Sequence, residues 1–68
     1  MRVIKQDSLK NKKYVSTIYL GLNKFDSGKQ KIFETVAFSQ KGRQLDTQRY
    51  ETEVEALKGH KEMVKKHK

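Results

Sequence analysis

Apolar and polar positions along the chain mark two central strands. Residues 14–22 (YVSTIYLGL) and 31–38 (KIFETVAF) are rich in β-branched and aromatic side chains, which is typical of β-strands. The segment NKFDSGKQ between them combines Asn, Asp, Ser and Gly, which predicts a loop. The pattern therefore predicts a β-hairpin with a long, basic connection.

Weaker strand signals lie on both sides of that hairpin. Residues 44–50 (QLDTQRY) follow a turn around Gly42, and they are polar enough for the edge of a sheet. Residues 2–6 (RVIKQ) are a candidate first strand, with DSLKNKK as its turn. The predicted sheet therefore has three or four strands.

The C-terminal segment predicts an α-helix that starts after Thr52. Thr52 and Glu55 have the T-x-x-E spacing of a capping box, in which Glu55 reaches back to the Thr52 amide. Gly59 lies at the border of the apolar face, where a missing side chain lets the helix approach another segment closely. At about 100° per residue, that face carries Ala56, Leu57, His60, Met63, Val64 and His67.

Together these elements predict an α+β fold, a small antiparallel β-meander with one C-terminal helix packed on one face. The 68 residues form a single small domain, 1–68. A core of this size rarely supplies more than about 3–5 kcal/mol. An exposed apolar face is therefore a place where a partner adds stability.

Two polar residues interrupt the predicted apolar faces. Glu34 interrupts a face of the strand IFETVAF, and His60 interrupts the helix stripe. If the helix packs on that strand face, the two side chains meet in a charge-assisted hydrogen bond. A structural bond is favoured over a general acid/base dyad, because buried polar groups need partners.

The opposite face of the same strands is also apolar. Because one helix covers only one face, Tyr19 and Phe33 are candidate anchors for a protein partner on the other. A homodimer through sheet faces or edges is one form of this hypothesis.

Charge adds a second hypothesis. Sixteen Lys and Arg against eight Asp and Glu give a net charge of +8, which attracts polyanions or acidic protein surfaces. Lysines dominate, whereas arginine suits bidentate recognition of phosphates and bases, so general solubility and steering are favoured over specific DNA recognition. Tyr14, Tyr19 or Phe25 is available for stacking on bases. The candidate nucleic-acid contacts are the lysine-rich helix end and Lys10, Lys12, Lys13, Lys24, Lys29, Lys31 and Arg43.

Other classes of site find little support. The chain has no cysteine, which excludes disulfides, thiolate catalysis and Cys-based zinc sites and fits a reducing cytosol. His60 and His67 are separated by roughly 10 Å of helical rise, too far to share a zinc ion, and His67 is expected to be a frayed surface residue. No apolar run approaches the roughly 18–20 residues of a membrane span. We therefore predict no catalytic residue, metal, cofactor or membrane partner, and a cytoplasmic location.

Four ordered segments, VSTIYLGLN, IFETVAF, RYET and EALKGH, resemble a family of short uncharacterised proteins from bacteriophages and prophages. The resemblance covers residues 15–64. The chain departs from it in KFDSGKQ and SQKGRQLDTQ, where similar proteins tend to be rich in glycine. The resemblance implies a phage origin and action in the host cytoplasm, without an established activity.

The leading functional hypothesis is a non-enzymatic phage accessory protein that binds a host or phage protein, or itself. Nucleic-acid binding through the lysine-rich surface is the alternative. An enzyme that uses Glu34 and His60 is a distant third.

Overall fold

The computed structural model describes residues 2–21 and 32–68. Within them, one antiparallel sheet holds four strands in chain order: β1 (Arg2–Ser8), β2 (Tyr14–Tyr19), β3 (Phe33–Phe38) and β4 (Gln44–Tyr50). The helix α1 (Glu53–His67) packs chiefly against β2 and β3. This confirms the predicted α+β meander with one C-terminal helix.

Small side chains line the middle of the sheet face that α1 covers. Val15 pairs directly with Ala37 across β2 and β3, and Thr17 pairs with Thr35. Directly paired residues share a face of the sheet. Val15 and Ala37 form the buried core cluster with Met63 of the helix. Short side chains at these positions allow the helix axis to lie close to the sheet.

The predicted choice of sheet face is wrong. Tyr19 and Phe33 lie on the helix-covered face, with ring centroids 5.2 Å apart, and only 7% of Phe33 is exposed. They are therefore not anchors on a free surface. Both faces of the two central strands carry apolar side chains, so alternation alone could not decide which face the helix covers. We call the opposite surface the helix-free face; β2 and β3 supply to it Tyr14, Ser16, Ile18, Glu34, Val36 and Phe38.

A buried hydrogen-bonded chain joins the helix to three strands. The Nδ1 atom of His60 lies 2.7 Å from the Thr17 hydroxyl, which lies 2.6 Å from the Thr35 hydroxyl. The Nε2 atom of His60 lies 2.7 Å from a carboxylate oxygen of Asp7 in β1. His60 is 1% exposed, and both threonines are fully buried. We call these four residues the His60 chain.

The predicted pair of Glu34 and His60 does not form. Glu34 lies on the helix-free face, where its carboxylate accepts a hydrogen bond of 2.9 Å from the Arg49 guanidinium. His60 does fix the helix to the sheet, but its partners are Thr17 and Asp7. The sequence assigns Asp7 to a turn, whereas β1 continues to Ser8 and carries Asp7 under the helix.

A second aspartate holds the far side of the helix. Asp46 in β4 accepts hydrogen bonds from Lys66 at 2.7 Å and from His67 at 3.1 Å. Asp7 and Asp46 occupy one row of the sheet, at its two edges, because they pair with Val15 and Ala37 respectively. His67 is 16% exposed rather than a frayed surface residue. The C-terminal half of α1 is thus attached along both flanks.

The start of α1 is capped, with one difference from the prediction. The Glu55 amide donates to the Thr52 hydroxyl oxygen at 3.2 Å. The Glu55 carboxylate accepts from the Thr52 hydroxyl at 2.9 Å, rather than from the Thr52 amide. The cap still satisfies one of the free amides at the helix start.

Gly59 marks a close approach of the helix to β4. A Cβ atom at this position would overlap the hydroxyl oxygen and the ring of Tyr50. Gly59 is buried, so it lies within the packed face of the helix rather than at its border. The predicted close approach is confirmed, and Tyr50 is the segment approached.

We expect His60→Ala to lower the free energy of unfolding by at least about 1–3 kcal/mol, because it leaves the buried Thr17 hydroxyl without its helix partner. Glu34→Ala is the matched control, since it removes a surface ion pair worth about 0–1 kcal/mol. Urea unfolding measures both variants. Equal, small losses in the two variants would contradict the role of His60 as the link between helix and sheet.

We expect Gly59→Ala to destabilise the protein, although alanine favours the helix by roughly 1 kcal/mol. Displacing Tyr50 is an overpacking effect that typically costs about 1–3 kcal/mol. Thermal unfolding of Gly59→Ala, Tyr50→Ala and the double variant tests this contact. The loss of stability in the double variant should be smaller than the sum of the losses in the two single variants. A melting temperature of Gly59→Ala at or above that of the wild type would show that Tyr50 does not require glycine at position 59.

Candidate nucleic-acid interface

Chain topology gathers three basic segments at one end of the sheet. The connection from β1 to β2 and the connection from β3 to β4 lie at the same end, because neighbouring strands in a meander alternate in direction. The helix ends there too, since Lys66 binds Asp46 near the start of β4 and Lys68 lines a groove with Lys10. We call this the basic end; it comprises Lys10, Lys12, Lys13, Lys41, Arg43, Lys65, Lys66 and Lys68.

Acidic residues are concentrated at the opposite end, around the helix start. Glu51 and Glu53 are exposed there, with Glu55 in the helix cap. In contrast, the two aspartates nearest the basic end are occupied by helix residues, Asp7 by His60 and Asp46 by Lys66 and His67. In the described part of the molecule, positive charge is therefore concentrated at one end of the strands and negative charge at the other.

Asp46 neutralises part of the basic end. The Lys66 ammonium, followed by the hydrogen bond from His67, lowers the pKa of the Asp46 carboxyl from 3.8 to about 2. Asp46 is therefore a carboxylate at neutral pH, and Lys66 acts mainly as its partner. The lysines and the arginine of the two turns, together with the exposed Lys65 and Lys68 of the helix end, carry the outward charge of this end.

The turn between β1 and β2 holds a lysine in an unusual backbone conformation. Asn11 and Lys12 have φ angles of 62° and 60° within the short helical turn Lys10–Lys12. Asparagine tolerates this left-handed region, whereas other side chains pay roughly 1–2 kcal/mol for it. Two successive left-handed residues match the twist of a tight hairpin. Local backbone preference would favour glycine at position 12, yet the chain carries a lysine there.

The turn between β3 and β4 is also tight. The Gly42 amide donates to the Ser39 carbonyl at 2.9 Å, and the Ser39 amide donates to the Arg43 carbonyl at 2.9 Å. Gly42 has a φ of 80°, and a Cβ there would meet no atom within 4 Å. Glycine is therefore needed for the backbone conformation rather than for space. This turn presents Lys41 and Arg43 on the basic end.

A row of side chains crosses the helix-free face next to the two turns. The register places Ser8, Tyr14, Phe38 and Gln44 side by side across the four strands. The rings of Tyr14 and Phe38 are stacked, with centroids 4.8 Å apart and planes inclined by 21°. The row therefore places two aromatic rings between two polar side chains, beside the basic end.

The rest of the helix-free face is mixed in character. Its central row consists of Gln6, Ser16, Val36 and Thr47. Its far row contains Val3, Ile18, Glu34 and Arg49. Among these residues Val3 is 56% exposed, while Val36 is only 4% exposed. Apolar side chains therefore run diagonally across this face, from Tyr14 and Phe38 through Val36 and Ile18 to Val3. Little apolar area is exposed at the centre of this strip, because Val36 is buried.

Two grooves follow the flanks of α1. The groove beside β1 has a volume of about 330 Å³ and four lysines around it: Lys5, Lys10, Lys61 and Lys68. The groove beside β4 has a volume of about 320 Å³ and contains Asp46, Glu62 and Tyr50. Burial raises the pKa of the Tyr50 hydroxyl, and the carboxylates of Glu62 and Asp46 raise it further. Positive charge therefore extends from the basic end along the β1 flank.

The structure brings together only some of the predicted nucleic-acid contacts. Lys10, Lys12, Lys13 and Arg43 meet at the basic end. Lys24, Lys29 and Lys31 lie outside the described residues. Of the aromatic residues named for stacking, Tyr14 lies beside the basic end, Tyr19 lies on the helix-covered face, and Phe25 lies outside the described residues. The sequence interpretation missed Lys41 and the pairing of Tyr14 with Phe38, although the alternation of the two central strands carried the signal for that pair.

The His60 chain has the order of groups seen in a nucleophile, base and carboxylate triad. The Asp7 carboxylate accepts from Nε2–H of His60, and in the neutral ring Nδ1 then accepts from the Thr17 hydroxyl. Thr17 is fully buried, however, so no substrate atom can reach its hydroxyl oxygen. In this conformation the His60 chain therefore serves to hold the helix on the sheet. In the described part, every buried side-chain nitrogen or oxygen has a hydrogen-bond partner.

Across residues 2–21 and 32–68, no three His, Asp or Glu side chains are grouped closely enough to hold a metal ion. The helix of this described part lacks the length and apolar character needed to cross a membrane.

Comparison with known proteins gives no match: no family model, no curated protein and no solved structure is similar to this chain. The interpretation of the site therefore depends on its own geometry and charge.

Proposed function

We propose that this protein is a non-enzymatic nucleic-acid-binding protein that contacts phosphate groups through its basic end. The observation that carries the proposal is the convergence of two tight turns and the helix C-terminus at one end of the sheet. Lysine and arginine side chains gathered in this way match the regular negative charge of a phosphate backbone. The net charge of +8 further speeds the approach of any polyanion.

The turn lysines support this function more strongly than the helix lysines do. Lys65 and Lys66 interact favourably with the negative end of the helix dipole, so their position has a structural explanation. The position of Lys12 has no such structural explanation. Its left-handed backbone is instead unfavourable for a lysine. A charge kept at such a position is consistent with a role in binding.

Protein binding, including homodimer formation, is a second candidate. The observation that favours it is the set of exposed or half-buried apolar side chains on the helix-free face, with Val3 at its edge. Two features weigh against it: little apolar area is exposed at the centre of that face, where Val36 is buried, and two copies that each carry +8 repel one another.

Sedimentation velocity tests the homodimer directly. If the second candidate holds, the sedimentation coefficient should rise with protein concentration into the high micromolar range, and Val3→Asp should abolish the rise. A monomer throughout that range would remove self-association as a function of this face.

The resemblance to bacteriophage and prophage proteins supports an accessory role in the cytoplasm of an infected host cell. In that setting, nucleic-acid binding predicts that partners captured with the protein from a lysate are lost on nuclease treatment. Partners that survive nuclease would instead support the protein-binding candidate.

Two matched double variants test the basic end. Lys12→Gly with Lys41→Ala removes two charges from the basic end, whereas Arg2→Ala with Lys58→Ala removes two charges elsewhere and gives the same net charge. Each phosphate contact that is lost should reduce the salt dependence of log K by about one. We therefore expect the first variant, and not the second, to show a salt slope smaller by about two.

Fluorescence anisotropy of labelled oligonucleotides between about 50 and 200 mM salt is the measurement. Lys12→Gly should not unfold the protein, because glycine adopts a positive φ without strain, and thermal unfolding verifies this. The proposal fails if neither single-stranded nor duplex oligonucleotides bind at about 50 mM salt. The assignment to the basic end fails if the salt dependence of log K decreases by the same amount in the two double variants.

A further inference from the structure

We infer that the ligand is a single-stranded nucleic acid, and that it lies on the helix-free face with unpaired bases stacked on Tyr14 and Phe38. This inference rests on the proposed function and specifies its ligand and its contact surface. It depends on three observations: the aromatic pair is exposed for stacking, basic residues lie directly next to it, and polar side chains flank it.

The aromatic pair is arranged for stacking. Tyr14 and Phe38 face each other at 4.8 Å on the surface opposite the helix. Both are partly exposed, whereas in the aromatic pair on the helix-covered face Phe33 is buried and Tyr19 is partly exposed. A base has a flat π surface that continues such a stack, and each base stacked on an aromatic side chain contributes appreciably to affinity. Bases in a duplex are already stacked on one another, so only an unpaired base is available.

The basic residues lie immediately next to the aromatic pair. Tyr14 begins β2 directly after Lys12 and Lys13, and Phe38 ends β3 just before the turn that carries Lys41 and Arg43. Charge is therefore within reach of the phosphates on either side of a stacked base. The combination of a positive border and aromatic side chains is the arrangement that proteins use for single strands without sequence preference.

Polar side chains complete the row. Ser8 pairs with Tyr14 and Gln44 pairs with Phe38, so hydroxyl and amide groups lie beside the rings on both sides. These groups can donate to and accept from base edges or sugar hydroxyls. The central row adds the exposed Gln6 and Thr47, whereas Ser16 between them is buried. A second protein copy would bury these polar groups, whereas a nucleic acid offers them hydrogen-bond partners.

A β-bulge lies at the same place in β4. The register shifts between the partners of Ala37 and Phe38, so Leu45 has no direct partner in β3. Leu45 is 43% exposed. Bulges change the direction of side chains locally and increase the twist of the sheet. Here the bulge lies beside Phe38 and the turn that presents Arg43.

The two aromatic pairs of the sheet provide a matched experiment. Tyr14→Leu removes the outward ring, and Tyr19→Leu removes a ring on the helix-covered face; both keep an apolar side chain. We expect Tyr14→Leu to weaken binding of an oligothymidylate of about 12 nucleotides roughly tenfold or more. Tyr19→Leu should lower the melting temperature but change that affinity by less than about twofold, because its ring does not touch the ligand.

Tyr14→Phe separates contact from folding. It keeps the ring and should retain the affinity of the wild type within about twofold. The chain has three tyrosines and no tryptophan, so its intrinsic fluorescence reports on tyrosine. Oligothymidylate should quench the wild type, and the quenching should be largely lost in Tyr14→Phe although binding persists.

A duplex of the same length distinguishes failure of this inference from failure of the proposed function. The inference is supported if the protein binds the single strand more tightly than the duplex, and if Tyr14→Leu weakens the affinity for the single strand but not for the duplex. Equal binding of both forms, with no effect of Tyr14→Leu, overturns the inference and leaves phosphate binding at the basic end intact. Failure of both forms to bind overturns both. A concentration-dependent dimer disrupted by Tyr14→Leu, without nucleic-acid binding, also overturns the inference and assigns the face to a second copy.

Discussion

The hydrogen bonds of His60 are the constraint on which the arrangement of this protein depends. The His60 ring lies between the Thr17 hydroxyl and the Asp7 carboxylate and is almost completely buried. Buried polar groups in folded proteins nearly always have hydrogen-bond partners, and a buried imidazole has two nitrogens that need them. In the sheet, that requirement is met on the face that carries the paired threonines Thr17 and Thr35. The helix therefore covers that face, and the bond to Asp7 joins the edge strand β1 to the same contact.

The position of the helix decides which surfaces remain for function. Once α1 lies over the threonine face, Tyr14 and Phe38 remain on the other side of the sheet, and the helix C-terminus lies beside the two tight turns. Asp7 and Asp46 bind helix residues, so the carboxylates nearest the basic end serve packing and partly offset its charge. In the described part of the molecule, the contacts that hold the helix on the sheet thus also bring the basic end of the helix beside the basic residues of the two turns.

The sequence predicted much of the fold because local patterns carry it. The β-branched and aromatic runs defined β2 and β3, the Thr52 and Glu55 spacing marked the start of α1, and Gly59 indicated a close approach that Tyr50 makes. The candidate site was predicted less well. Lys10, Lys12, Lys13 and Arg43 were named from their charge, yet nothing local indicated that they meet Lys41 and the helix end. Their meeting follows from strand order.

The sequence by itself determined the type and order of the elements, the high positive charge and the burial of one helix face, because these depend on neighbouring residues and on periodicity. Only the tertiary structure decided which sheet face the helix covers, which partners His60 binds, and which aromatic pair is left outside. Both faces of β2 and β3 satisfy the alternation rule, so the pattern was degenerate and led to the wrong face. The degeneracy is removed by the partners of His60, Thr17 and Asp7, which lie 43 and 53 residues away from it along the chain. Contacts of that separation leave no signal in local periodicity.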